Sequence, residues 1–187
     1  MAATRKPIAD RHAAHQAVGM TIVVRRIEPG EWRDLRATRL AALLDAPSAF
    51  AMTYAEESLY PERHWIDAAR DRSNGSHMAT FAAVDEAGDW VGLVGGYRPQ
   101  ADARVAELVS MWVAPAGRRH GLARRLVQAV IDWASDAGCE AVELWVTQGN
   151  EPAFDLYREA GFEETGDFVP LPSDPCQDEV RMRKPLG

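Results

Sequence analysis

Cysteine is scarce in this chain of 187 residues: there are two, Cys139 and Cys176, with no CxxC pair and no histidine near enough to complete a metal tetrahedron. A disulfide framework and a zinc ribbon are therefore excluded, and both thiols are expected to be free and reduced. Long apolar runs are missing too. No stretch approaches the ~20 apolar residues a bilayer span needs, because Arg, Glu or Asp interrupts every candidate. Residues 1–19 carry Arg5, Lys6, Asp10, Arg11, His12 and His15 without an apolar core, so no secretory signal is read there and a cytoplasmic protein is expected. Excess positive charge is also absent. The 21 Lys and Arg against 28 Asp and Glu give a net charge of −7, which argues against a partner bound through its phosphate backbone. Neither GxxxxGK[ST] nor GxGxxG occurs, so the P-loop and the Rossmann dinucleotide fingerprint are ruled out. There is no internal repeat.

What remains is an ordinary globular composition, 47% hydrophobic and 26% charged, long enough to bury a sizeable core. One domain over residues 20–187 is expected, after a mobile tail over 1–19. Ile22 to Ile27 is a short β-branched strand, and Glu28-Pro29-Gly30-Glu31 ends it and opens a helix carrying Leu35, Leu40, Leu43 and Leu44. A second helix is predicted over Glu62 to Arg72. Ala79 to Val84 and Trp90 to Tyr97, separated by a turn containing Gly88, read as an antiparallel hairpin. Ala106 to Val113 is the next strand. A helix then places Leu122, Leu126, Ala129, Val130, Trp133 and Ala137 on one stripe, with Arg125, Gln128, Asp132 and Asp136 opposite. Ala141 to Val146 follows, so strand, helix and strand form a right-handed parallel βαβ unit. A short helix from about Pro152 to Ala160 precedes two closing strands, Phe162 to Thr165 and Glu179 to Arg183, joined by a loop with Pro170, Pro172 and Pro175. The fold class is α/β with a mixed sheet.

The densest chemistry lies between Val113 and Arg124. A strand ends, Gly117 and Gly121 let the backbone turn, and a helix starts whose first N–H groups lack intrahelical partners and whose dipole is positive there. Phosphate is the natural guest. Arg118, Arg119 and Arg124 surround this turn in an otherwise acidic chain, although arginines on a helix surface also serve solubility alone.

Here the sequence resembles a family. Arg118-Arg119-His120-Gly121-Leu122-Ala123 is similar to the R/Q-x-x-G-x-G/A motif of the GNAT (Gcn5-related N-acetyltransferase) superfamily. Asn150-Glu151-Pro152-Ala153-Phe154-Asp155-Leu156-Tyr157-Arg158-Glu159-Ala160-Gly161-Phe162 resembles its N-x-x-A-x-x-x-Y-x-x-x-G-F signature. The resemblance covers roughly Ile22 to Pro185. It implies a mostly antiparallel central sheet with a splayed parallel strand pair, and acetyl-CoA as cosubstrate for direct acetyl transfer to an amine, with no metal. Backbone N–H groups across Arg118, Arg119, His120, Gly121, Leu122, Ala123 and Arg124 would hold the pyrophosphate. Met111 and Val113 would pair with the pantetheine arm as a strand would, and an N–H near Met111 would face the developing oxyanion.

In the same resemblance Asn150 contacts the cofactor arm and Tyr157 protonates the departing sulfur. The seven-residue spacing puts both on one helix face. Asn150 can equally be a plain N-cap, and Tyr157 a half-buried aromatic with a satisfied hydroxyl. Glu107 is the candidate base that deprotonates the acceptor ammonium, and the alternative is a solvated carboxylate at a strand end. The acceptor is expected to be a primary amine of a small molecule or peptide. It is expected to be cationic, because Asp45, Glu56, Glu57, Glu62, Asp167, Asp174, Asp178 and Glu179 fall, with Phe50, Tyr54, Tyr60, Trp65 and Phe168, in the segments that build the family's acceptor pocket. Neither nucleic acid nor membrane is an expected partner, and a homodimer is compatible with the resemblance. The competing reading is a non-catalytic acyl-CoA-binding regulatory protein of the same fold.

Overall fold

The computed structural model of the protein describes residues 21–118 and 120–187. The expected tail, residues 1–19, lies outside them. Seven strands form one sheet: β1 (Val23–Arg26), β2 (Met78–Val84), β3 (Trp90–Tyr97), β4 (Val105–Val113), β5 (Ala141–Thr147), β6 (Glu163–Leu171) and β7 (Asp174–Pro185), in the spatial order β1-β2-β3-β4-β5-β7-β6. All neighbours are antiparallel except β4 and β5. Among the described residues five α-helices accompany them: α1 (Trp32–Asp45), α2 (Tyr54–Glu57), α3 (Glu62–Asn74), α4 (Leu122–Asp136) and α5 (Glu151–Glu159).

The helices cover both faces. On one, α4 seats Leu126, Val127, Val130 and Trp133 against Val91 and Val94 of β3 and Leu108 of β4, and α5 adds Phe154 and Tyr157. The expected polar residues Arg125, Gln128, Asp132 and Asp136 are all exposed. Trp133 also explains a glycine in mid-strand: a Cβ on Gly96 would stand 2.6 Å from the indole ring, so only the bare backbone fits beneath it. On the other face Leu35 of α1 and Trp65 and Ala69 of α3 meet Ala82 and Trp90, while Ala42 and Leu43 meet Phe50, Leu93 and Trp112.

Three expectations need correction. The buried stripe of α1 is Leu35, Thr38, Ala42 and Leu43, whereas Leu44 is exposed. The short helix α2 was not read from the sequence; its four residues rest on a capping box between Thr53 and Glu56. Pro170, Pro172 and Pro175 do not mark a long loop. Pro170 and Pro175 sit within β6 and β7, and Pro172-Ser173 makes a tight turn. Pro170 is tolerated because β6 is the outer strand, where a missing ladder N–H costs little, and Pro175 precedes the stretch of β7, Glu179 to Pro185, that pairs with β5.

The parallel pair sets up the site. β4 and β5 are in register only at Val105↔Ala141, Ala106↔Val142 and Glu107↔Glu143. From Leu108 onward β4 keeps its partner β3 on one side and has no register partner in β5 on the other.

Candidate active site

Where β4 and β5 part, a cavity of about 420 Å³ passes between them. Its walls come from four places: Glu107 to Met111 of β4; Leu144 to Thr147 of β5; Asn150, Ala153, Leu156 and Tyr157 on one face of α5; and Ala49 to Met52 with Arg39. Glu179 of β7 completes the rim. Of the site residues expected from sequence, Glu107, Met111, Asn150 and Tyr157 are brought together here. Val113 and the turn that follows lie beyond the cavity along the same strand, and the ion pair between Arg124 and Glu159 ties the first turn of α4 to the helix that carries Tyr157.

The turn has the geometry an anion needs. Pro115–Gly117 forms a single 3-10 turn, and Gly121, at φ +70°, is the residue before α4. That left-handed conformation is one only glycine adopts without cost, and a Cβ there would meet nothing within 4 Å, so the backbone is open to solvent at this point. The N–H groups of Leu122, Ala123 and Arg124 occupy the first helical turn, where no carbonyl of α4 can reach them. The guanidinium groups behave differently from the simplest expectation. Arg118 is paired with Asp45 and donates from Nε to the Val113 carbonyl at 3.0 Å, and Arg124 is paired with Glu159. Both pairs are at the surface, where solvent screening leaves an ion pair weak. His120 is exposed beside them, and Arg119 lies outside the described residues.

Tyr157 is buried, with its ring edge-on to Phe162 at 5.9 Å. No hydrogen bond to its hydroxyl is made by any described residue, and burial pushes its pKa well above the ordinary phenol value. Asn150 is the N-cap of α5, with Oδ1 accepting from the Ala153 N–H at 3.4 Å, so the cap reading is realised while the Nδ2 donors stay available to a ligand. Glu107 is half-buried. Burial raises its pKa first, Glu143 on the neighbouring strand raises it further, and Arg181 pulls the other way. Burial likewise raises Glu179.

Part of the acidic acceptor surface read from the sequence is already committed to other groups of the fold. Asp45 accepts from Trp112 Nε1 at 2.9 Å and from Arg118; Glu56 caps α2; Glu57 is clasped by Arg39; Asp167 is paired with Arg181. Glu179, with Glu107, is what reaches the cavity, and Phe50 is the aromatic that does so from the named set.

Sequence reasoning missed Ser110 and Arg39. Leu93↔Trp112 and Gly95↔Val109 leave Val94 facing both Ser110 and Met111, a β-bulge, and Ser110 is the one non-glycine among the described residues with positive φ, +57°. Arg39 falls four residues after Leu35 on the buried stripe of α1, and a charge in an apolar stripe was the available signal.

The cavity now carries comparison with known proteins. The model of the Acetyltransferase (GNAT) family matches residues 39–162. A mycothiol acetyltransferase of Propionibacterium freudenreichii subsp. shermanii is 28% identical over 96% of this chain and 55% of its own length. The chain spans between 26% and 55% of three curated relatives that it matches. A GCN5-related N-acetyltransferase from Kribbella flavida has a solved structure that is 27% identical, with TM-score 0.71 over 88% of this chain and 98% of that one. A Salmonella typhimurium protein solved with its cofactor acetyl-CoA shares the fold at 17% identity, TM-score 0.72, over 89% and 95% of the two chains. With more than half of its length inside the family model, and with the splayed pair, the bulge and the glycine turn in sequence along β4 and α4, the chain belongs to the GNAT acetyltransferase family.

Proposed function

We propose that the protein is an acetyl-CoA-dependent N-acetyltransferase that acetylates a primary amine directly, and that the amine arrives as a cation. One observation carries this reading: the edge of β4 from Leu108 to Val113 has no strand beside it, and it runs from a cavity holding Glu107 and Tyr157 to a helix N-terminus with free N–H groups. The open edge supports a pantetheine arm paired to Met111 and Val113, and the first N–H groups of α4, Leu122 to Arg124, support a pyrophosphate held by main-chain donors. Acetyl-CoA, when bound, supplies an activated acetyl group. No metal is invoked.

Each residue then has a proton or a charge to manage. Glu107 accepts the proton of the acceptor ammonium, which frees the nitrogen lone pair; its raised pKa makes it a better base than an ordinary carboxylate. The backbone N–H near Met111, beside the bulge, would donate to the carbonyl oxygen as the carbon–nitrogen bond forms. Tyr157 gives its proton to the sulfur as the carbon–sulfur bond breaks. Burial keeps the phenol protonated until that charge develops, and a thiolate desolvated in the same cavity is itself a stronger base than in water. Glu107 and Glu179 favour a cation because each is a desolvated carboxylate at the cavity rim.

The test is thiol release from acetyl-CoA across a library of amines. Wild type should release CoA with at least one cationic amine. Tyr157→Phe should lower kcat by about two to three orders of magnitude, the scale of a lost general acid, while CoA affinity by calorimetry stays within twofold. CoA binding with no turnover on any amine would favour the regulatory reading instead, and no CoA binding at millimolar levels would remove both.

A further inference from the structure

A single guanidinium joins the acceptor-side wall of the cavity to the bulge in β4. Arg39 donates from Nη2 to Glu57 Oε1 at 2.6 Å and from Nε to the same carboxylate at 3.1 Å, and its remaining arm, Nη1, reaches Ser110 Oγ at 3.3 Å. Both members of the pair are nearly withdrawn from water, with side chains 12% and 9% exposed. The guanidinium also lies over the Phe50 ring, 4.7 Å from its centre. Arg39 therefore touches α2 through Glu57, the pocket loop through Phe50, and the strained strand through Ser110.

The other ends of that loop are also fixed. Thr147 Oγ1 donates to the Ser48 carbonyl at 2.8 Å and Ser173 Oγ to the Phe50 carbonyl at 2.7 Å. The wall from Ser48 to Glu57 is thus held to β5, to the β6–β7 turn and, through the Arg39 hydrogen bond to Ser110, to the bulge of β4. Ser110 holds a backbone conformation that disfavours any side chain, so something must keep it there. Without a restraint the bulge can relax and move the backbone N–H groups that follow.

We propose that Arg39 is a positioning residue: it locks the Ser110 bulge and the acceptor wall into one rigid unit, so that the main-chain donors of β4 and the acceptor are presented to each other at fixed distance. Its effect on turnover rests on the transfer reading given above; the clamp itself does not. The pair with Glu57 supplies the anchor, and the Ser110 contact supplies the function. A cation already matched by a buried carboxylate has no charge to offer a substrate, which sets this role apart from anion binding.

Ser110→Gly separates the two contributions, because glycine accepts φ +57° without strain while removing the hydroxyl. The thermal midpoint should hold or rise, kcat should fall about threefold to tenfold, as for a misplaced transition-state contact, and the KM for acetyl-CoA should change less than twofold. Arg39→Lys keeps a charge opposite Glu57 but cannot serve both partners. It should reproduce the kcat loss, and amide hydrogen exchange should quicken together in peptides covering Ala49 to Tyr54 and Leu108 to Trp112, with α4 unchanged. The double variant should be no slower than Arg39→Lys alone. Wild-type kcat in Ser110→Gly, losses that multiply in the double variant, or unchanged exchange in both peptides would overturn the clamp. If wild type acetylates no amine, the transfer reading fails, and exchange alone then upholds or overturns the clamp.

Discussion

Glu107 shows how far a residue's chemistry depends on its strand neighbours. Its register partner across the parallel pair is Glu143, which is already committed to Arg181 at 3.4 Å and to Arg183. Glu107 is left half-buried, without an ion pair of its own among the described residues, and burial followed by Glu143 raises its pKa above the ordinary carboxylate value. As the proposed base, Glu107 is ionised only above that raised pKa, so the acid limb of kcat/KM should lie above the usual carboxylate range of about 4.3. Glu107→Gln should abolish that limb and most of the turnover, read as a pH profile of kcat/KM. The stability consequence has the opposite sense. A carboxyl whose folded pKa is raised binds its proton more tightly when folded, so its favourable contribution is present at low pH and lost as pH rises through the folded pKa. Relative to wild type, the glutamine variant should therefore gain stability between acid and mildly alkaline pH, measured by denaturant unfolding at both. An unfolding difference that ran the other way would mean that the fold favours the ionised form of Glu107 over the protonated one.

At the scale of elements, the hinge of the site is the junction of β4 with α4. Gly121 holds φ +70° with open space where a Cβ would go, so Gly121→Ala meets no clash and only backbone strain, about 1 to 2 kcal/mol. That strain should turn the first N–H groups of α4 away from their common focus. The KM for acetyl-CoA is expected to rise several-fold with kcat nearly kept, in steady-state assays against both substrates; a fall in kcat alone would place the pyrophosphate elsewhere. The elements themselves were largely legible in the sequence. Trp90–Tyr97 carries the predicted bounds, and α4 runs from Leu122 with its polar side exposed, because strong periodicity and turn glycines survive into the fold. The errors have physical causes too. α2 is too short to show a period and rests on one capping box. The outer strand β6 is exposed along nearly its whole length, so it lacks the alternation that marks a half-buried strand.

For the molecule as a whole, core and cavity share one buried cluster, in which Leu126 packs with the cavity-lining Leu108, Leu144, Val146 and Tyr157. Leu126 is fully buried in the core under α4, with a methyl that a Cβ on Gly92 would meet at 3.1 Å, and it does not line the cavity. Leu126→Ala should cost about 2 to 5 kcal/mol through lost contacts and the void left behind, a fall in Tm on the order of 10 °C for a chain of this size. CoA affinity, titrated well below the new midpoint, should remain near wild type; a large loss would mean that the cavity and this core unfold as one unit. Among the described residues no helix is long and apolar enough to cross a membrane, and Cys139, buried, and Cys176, exposed, are both free.

The sequence by itself determined what is local: the strand and helix periods, the glycine that turns β4 into α4, and the two motifs whose spacing puts Asn150 and Tyr157 on one side of α5. It named many carboxylates for an acceptor pocket, because charge can be counted along a chain but its neutralisation cannot. Only the tertiary structure decided that Glu57 belongs to Arg39 and Asp45 to Arg118, leaving Glu107 and Glu179 at the cavity. It also decided where β4 leaves β5 and bulges at Ser110, since pairing partners and their register come from distant segments and no stretch of residues carries them alone.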